Sequence, residues 1–378
     1  MSIESLDEKS FFESHWQKKP LVLRGALPGI SSLISPDELA GLSCEDGVES
    51  RIVMEKGAEK PWQVLHGPFK EELFSQLPKD HWTLLVQGVE QWLPEAYELL
   101  RRFNFIPNWR VDDLMVSYAP DGGSVGAHLD QYDVFLIQGW GKREWRIGKE
   151  AHRAEKLIPG LDLKILEEFT DYESVIMEEG DVLYLPPNFA HHGIALGDSM
   201  TFSVGFRAPH NKELLGHFCD HLLIHSEGEL HYKDPHLRQQ ESPGELRKDH
   251  EDQLYQMAQD LLKDRIAFSK FIGQYTSQMK SDQKPEIAEE DPWDHLQDDD
   301  ELELYAGARL LYSIRENKLN FFINGSHMEL EMSLLPLVKE LSDKGPQFTW
   351  GSLSAIVDSP EASKFLRKLY QEGYLLEL

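Results

Sequence analysis

The chain has little cysteine, little basic charge and no long apolar run. Two cysteines in 378 residues, Cys44 and Cys219, cannot build a disulfide framework and fit a reducing compartment. No run of about 18 apolar residues occurs, so no membrane-crossing helix is expected. The opening residues Met1-Ser-Ile-Glu-Ser-Leu-Asp-Glu-Lys9 are polar and acidic, without the basic and apolar regions of a secretory leader. A cytoplasmic protein is the expectation. Lys and Arg number 38 against 66 Asp and Glu, a formal net charge of −28. Such a field repels nucleic-acid phosphates and attracts cationic partners. It serves solubility, and it also suits a basic polypeptide as substrate.

What is present reads as several segments. The 40% hydrophobic and 10% aromatic content supports a packed core, and the length fits two or three domains. Residues 1–90 mix patterns: Ser10 to Trp16 reads as a short helix, and Lys18 to Gly25 as a strand ended by glycine. Glu95 to Phe103 has helical spacing, with Ala96, Leu99, Leu100 and Phe103 on one side. From Asp113 the texture is β. The runs Leu114–Tyr118, Val134–Gln138, Arg143–Ile147, Ser174–Met177, Val182–Leu185 and Met200–Phe206 lie between turn signals such as Asp121-Gly-Gly123, Gly139-Trp-Gly141 and Glu179-Gly180-Asp181. Many short strands so punctuated predict a sandwich or small barrel over 91–208. Residues 209–280 are helical, with one face carrying Leu214, Leu215, Phe218, Leu222 and Leu223 and another Leu254, Met257, Leu261 and Leu262. That stripe is a core or a dimer interface. Residues 281–303 hold eleven Asp or Glu and one Lys, an acidic linker. In 304–378, Leu310–Ile314 and Leu319–Ile323 flank a hairpin signal at Glu316-Asn317. Helical patterns follow at Ser333–Leu341, Trp350–Ile356 and Glu361–Glu372, the last ended by Gly373. This order resembles a winged helix. Eight Lys/Arg against nine Asp/Glu there give no basic recognition helix, so direct nucleic-acid binding is not expected.

The chemistry centres on a split motif, His128-Leu129-Asp130 and a distant His191. Two imidazoles and one carboxylate hold Fe(II) on one triangular face and leave positions open for a co-substrate and dioxygen. A His-x-Asp alone carries little: among sixteen histidines about one match arises by chance, and His250-Glu251-Asp252 is such a match. That stretch has helical spacing, where i and i+2 point apart. His128 and Asp130 instead follow Gly122-Gly123-Ser124-Val125-Gly126 and precede a β run, where i and i+2 share a face. Gly126 and Ala127 leave room for close approach. His191 lies 63 residues after His128, in the pattern Gly180-Asp181-x4-Pro186-x4-His191 of cupin second motifs. The spacing selects His191 over His192, which an extended strand would turn away.

These runs resemble the JmjC-type Fe(II)/2-oxoglutarate oxygenases, and more closely the bacterial YcfD-type ribosomal oxygenases. The matching stretches are His15–Arg24, Ser124–Phe135, Gln138–Arg146 and Phe202–Pro209. The resemblance implies an α+β protein: a double-stranded β-helix (jelly-roll or cupin) core, a helical dimerisation domain and a C-terminal winged-helix domain. It implies hydroxylation, at the β-carbon, of an arginine in the large-subunit ribosomal protein numbered sixteen. The rivals are a JmjC demethylase, a hydroxylase of another basic protein, and a metal-binding cupin that is no oxygenase. His128, Asp130 and His191 would hold Fe(II), with 2-oxoglutarate and dioxygen as co-substrates and no catalytic residue beyond the ligands. Alternation puts Arg143, Trp145 and Ile147 on one apolar, inward face, and an arginine there needs an anion. Arg143 matches the family position for the far carboxylate of 2-oxoglutarate, and Ser117 a polar contact to it. Arg207 is the rival anchor, more suited to capping the domain. Met115, Tyr132 and Asp133 are candidates for holding the substrate. The partners expected are a basic ribosomal protein and a second copy of the chain, with no membrane.

Overall fold

The computed structural model describes residues 3–55, 62–151, 156–161, 163–226, 228–279, 293, 295–356 and 359–378. Its main sheet is antiparallel throughout: β1 (Leu21–Leu23), β2 (Ser50–Glu55), β3 (Trp62–His66), β4 (Trp82–Val86), β5 (Val111–Ala119), β6 (Val134–Glu150), β7 (Glu173–Met177), β8 (Val182–Leu185) and β9 (Phe189–Phe206). The order is β1-β8-β6-β9-β5-β4-β2-β3, with β7 paired to β6. Between them lie the helices α1 (Glu8–Ser14), α2 (Pro36–Leu42), α3 (Glu71–Phe74) and α4 (Pro94–Arg101). Asp7 caps α1 through Lys9 and Ser10, and Ser35 with Glu38 forms a reciprocal capping box on α2.

β6 organises the core. Along its first part it pairs with β8 and β9, along its second with β7 and β9. Side chains alternate across it. Phe135 and Ile137 enter a large cluster with Leu114, Val116, Phe202, Val204 and the N-terminal Phe11. Val134, Leu136, Trp145 and Ile147 enter another with Met177, Leu183 and Leu185. Burying one such large side chain contributes about 1.5–3 kcal/mol.

Two expectations change here. Gly139-Trp140-Gly141 is no turn; β6 runs through it as one strand of 17 residues with register shifts. Gly141 has φ +66°, and a Cβ on Gly139 would lie 1.9 Å from the Phe202 ring, so glycine serves a bulge and a close approach. The strand expected from Met200 begins at Phe189 and carries His191.

By contacts the chain forms two compact units. The first joins residues 1–208 with 279–309 and 331–378. It adds a sheet of β10 (Glu301–Leu304), β14 (Gln347–Thr349) and β15 (Leu375–Glu377), and the helices α8 (Leu335–Asp343), α9 (Trp350–Ser354) and α10 (Pro360–Gln371). Residues 281–292 and 294 of the acidic run lie outside the described residues. Trp293 is buried, its Nε1 donating to Ser363 Oγ at 3.0 Å, and the run ends inside β10. The second unit, residues 209–278 and 310–330, holds α5 (Asn211–His225), α6 (Lys248–Leu262) and α7 (Arg265–Ser277) with the sheet β11 (Leu310–Arg315), β12 (Lys318–Ile323) and β13 (Ser326–Leu330). The β11–β12 turn has φ +49° at Glu316 and +61° at Asn317, the hairpin expected there. No described helix is long and apolar enough to cross a membrane.

Candidate metal centre

Backbone pairing brings the split motif together. His128 and His191 form an isolated antiparallel bridge, with His128 N–H donating to His191 O at 3.0 Å and His191 N–H to His128 O at 2.9 Å. His128 is thus held at single bridges to Ile165 and His191 rather than in the regular strand its context suggests. Asn188, at φ +67°, donates its N–H to Asp130 O at 2.8 Å. Asp130 Oδ2 then lies 4.0 Å from His128 Nε2 and 3.6 Å from His191 Nε2. All ligand atoms of the three residues lie within 4.8 Å of one another, the one such group of three among the described residues.

The imidazoles are oriented for a metal. His128 Nδ1 pairs with Gly126 O at 3.0 Å and His191 Nδ1 with Phe189 O at 2.9 Å. Each carbonyl fixes the proton on Nδ1 and leaves Nε2 as an electron-pair donor. Burial, with the neighbouring His128 ring, pushes His191 down to about 4, so the neutral, ligating form prevails near pH 7. The Trp145 ring lies 5.8 Å from that of His191 and covers Gly193, whose absent side chain makes the space. His192 turns to the other side, against Phe169 at 6.1 Å. His250 and Asp252 lie on α6, as their spacing predicts.

Glycine and aspartate in the second motif have separate tasks. Gly180 turns at φ +82°. Asp181 accepts from Gly25 N–H at 2.8 Å, Glu178 N–H at 3.0 Å and Arg24 at 2.5 Å, locking the turn before β8 to the N-terminal strand.

Arg143 is buried, as alternation predicts, together with Trp145 and Ile147. Its Nε and Nη2 have no hydrogen-bond partner, and burial pushes its pKa down to about 10. A desolvated guanidinium with idle donors fits an incoming carboxylate. Ser117 is buried on β5 and donates to Thr201 O at 3.3 Å. Met115 shares its face, opposite Ser203. Arg207 is instead engaged with Asp112 at 3.3 Å.

Tyr132 is 42% exposed at the site's rim, and burial of its hydroxyl beside the Asp130 and Asp113 carboxylates raises its pKa. Asp133 is fully buried, and its carboxylate receives Arg110 at 2.9 Å, Gln17 at 2.9 Å and Tyr184 at 2.7 Å, which gives it a structural task. Asp113 on β5 is also buried; it accepts from Gln87 and lies beside Glu90.

An antiparallel cupin-type sheet with an inward His-Asp-His set defines a metal centre of the JmjC class. Comparison agrees: the JmjC domain matches residues 98–214 and the ROXA-like winged helix residues 256–376. The Escherichia coli ribosomal protein uL16 3-hydroxylase is 38% identical over 312 residues, 81% of this chain and 82% of that protein. A probable ribosomal oxygenase of Haemophilus influenzae is 33% identical over 380 residues, 95% of this chain and 91% of that protein. The crystal structure of E. coli YcfD matches with a TM-score of 0.88 at 34% identity, covering all of both chains. YcfD with cobalt and 2-oxoglutarate matches at 0.84 over 99% of this chain and 98% of that chain, again 34% identical. The chain belongs to the YcfD-type ribosomal oxygenases, JmjC proteins with a ROXA-like winged helix.

Proposed function

We propose that this protein is an Fe(II)- and 2-oxoglutarate-dependent oxygenase that hydroxylates an arginine side chain of ribosomal protein uL16 at the β-carbon. The observation that carries this reading is the pairing of a His-Asp-His set with a buried arginine whose Nε and Nη2 lack partners. A metal site alone would suit any cupin; the idle guanidinium calls for a dicarboxylate co-substrate. His128, Asp130 and His191 hold the ion, and Arg143 takes the far carboxylate of 2-oxoglutarate, with Ser117 beside it. Fe(II) with 2-oxoglutarate and dioxygen supplies the oxidising power for C–H hydroxylation, with succinate and carbon dioxide as by-products.

The chain's own part is placement and exclusion of water. Val134, Leu136, Leu183 and Trp145 make the interior apolar. At the rim, Met115 and Tyr132 suit a substrate arginine, with thioether and ring against its methylenes. The net charge of −28 favours a basic ribosomal protein as partner. The exposed apolar residues of α5 and α6, Leu223, Leu254 and Leu261 among them, support a homodimer through segment 209–280. The reading places the protein in the cytoplasm with its substrate. The deciding experiment incubates the protein with Fe(II), 2-oxoglutarate and a uL16 peptide. The expected result is one oxygen on one arginine by mass spectrometry, with matching succinate. No succinate above background, with or without peptide, would overturn the oxygenase reading.

A further inference from the structure

The run His15–Arg24 contributes no metal ligand, yet it reaches both halves of the metal motif. Gln17 sits at φ +56°, left-handed backbone that a non-glycine residue adopts only when its surroundings impose it. Two hydrogen bonds impose it here. Gln17 N–H donates to Tyr184 Oη at 2.8 Å, and Gln17 Nε2 donates to Asp133 Oδ2 at 2.9 Å. The Tyr184 hydroxyl in turn donates to Asp133 Oδ1 at 2.7 Å, while Arg110 Nη2 lies 2.9 Å from Oδ2. Trp16 stacks on the Tyr184 ring, centroids 5.8 Å apart and planes 19° from parallel, with Arg110 over its indole at 5.3 Å.

The two residues Gln17 bridges flank the ligands. Asp133 follows Asp130 by three residues, and Tyr184 precedes His191 by seven. They come side by side because the next residues, Val134 of β6 and Leu185 of β8, are register partners. Beyond Leu185 the chain reaches Asn188, whose N–H holds Asp130 O. Asp130 is thus carried on a short span whose ends are fixed at the His128–His191 bridge and at Asp133.

We infer that Gln17 is a positioning residue of the metal centre: through Asp133 and Tyr184 it holds Asp130 in place against His191 and so sets the affinity for a divalent metal ion. The inference rests on the metal reading of the triad. Its test is a titration of the full-length protein with Co(II) alone, followed by visible absorption, beside thermal melts of the metal-free protein. Gln17→Gly is the informative variant, because glycine adopts this φ without strain while losing the bond to Asp133. The expected result is Co(II) binding weakened several-fold, short of the about tenfold that loss of a partner bonded directly to a ligand costs, with a metal-free melting temperature close to wild type. Tyr184→Phe, which removes one donor and keeps the ring, should shift affinity the same way. Unchanged Co(II) affinity in both variants, whatever their melting temperatures, overturns the inference and leaves the triad standing. Failure of the wild-type protein to bind Co(II) overturns both.

Discussion

Arg143 shows how a single residue can trade stability for function. Its buried charge has idle donors, and leaving such a group unpaired costs on the order of 1–3 kcal/mol or more. Arg143→Met should therefore raise the melting temperature of the ligand-free protein. With metal already bound, adding 2-oxoglutarate should raise the wild-type melting temperature and leave the variant's nearly unchanged. The triad makes a simpler demand: His128→Ala or Asp130→Ala should abolish succinate formation, whereas Asp252→Ala, on the exposed face of α6, should not. Glu90 supplies a pH test. Burial, then the Asp113 carboxylate, pushes it up from 4.5 to about 7. Between those values the folded state keeps a proton that the unfolded state has released, so stability falls as pH rises through this window. Glu90→Gln keeps an acceptor for Leu114 N–H and removes the titration. Melting temperatures at pH 5 and pH 8 should differ less in the variant than in wild type.

At the scale of elements, β6 is the test case. Gly139→Ala places a methyl group into the Phe202 ring, itself buried in the core. Overpacking of this kind costs about 1–3 kcal/mol, which denaturant unfolding would register as a lower midpoint. The same place marks a limit of sequence reading. Glycines about a tryptophan carry the signature of a turn, and only the pairing of Trp140 with Met200 reveals a bulged, continuous strand. Strands bounded by true turns, such as β8 after Gly180-Asp181, were legible to the residue. The first half of β9 was not, because His191-His-Gly-Ile-Ala-Leu-Gly197 is rich in glycine and poor in strand formers. α7 lies in the stretch that reads as helical, though only Asp264, capping it through Ile266 and Ala267, marks where it begins. The metal ligands were legible because their spacing is a chemical requirement. The task of Asp133 was open in the sequence, because a carboxylate beside an aromatic looks alike whether it faces a guest or, as here, Arg110.

For the molecule as a whole, charge and exposed apolar surface make separate predictions. If the field of −28 gathers a basic substrate, the KM for a uL16 peptide should rise with ionic strength while kcat holds. Leu223 and Ile224 on α5 are 83% and 74% exposed. If this face forms the proposed homodimer, changing both to lysine should lower the mass measured by light scattering from that of a dimer to that of a monomer, and an unchanged dimer mass would exclude this face as the interface. β6 has one more consequence, in inheritance rather than chemistry. The strand sends Val134 and Leu136 before the bulge and Trp145 after it into one apolar cluster, with Arg143 buried on the same side as Trp145. Side chains alternate, so an insertion or deletion of one residue between these stretches would turn Arg143 outward and a neighbour inward. Descendants of this gene can therefore lengthen or shorten β6 only by two residues at a time, or by one together with the loss or gain of a bulge.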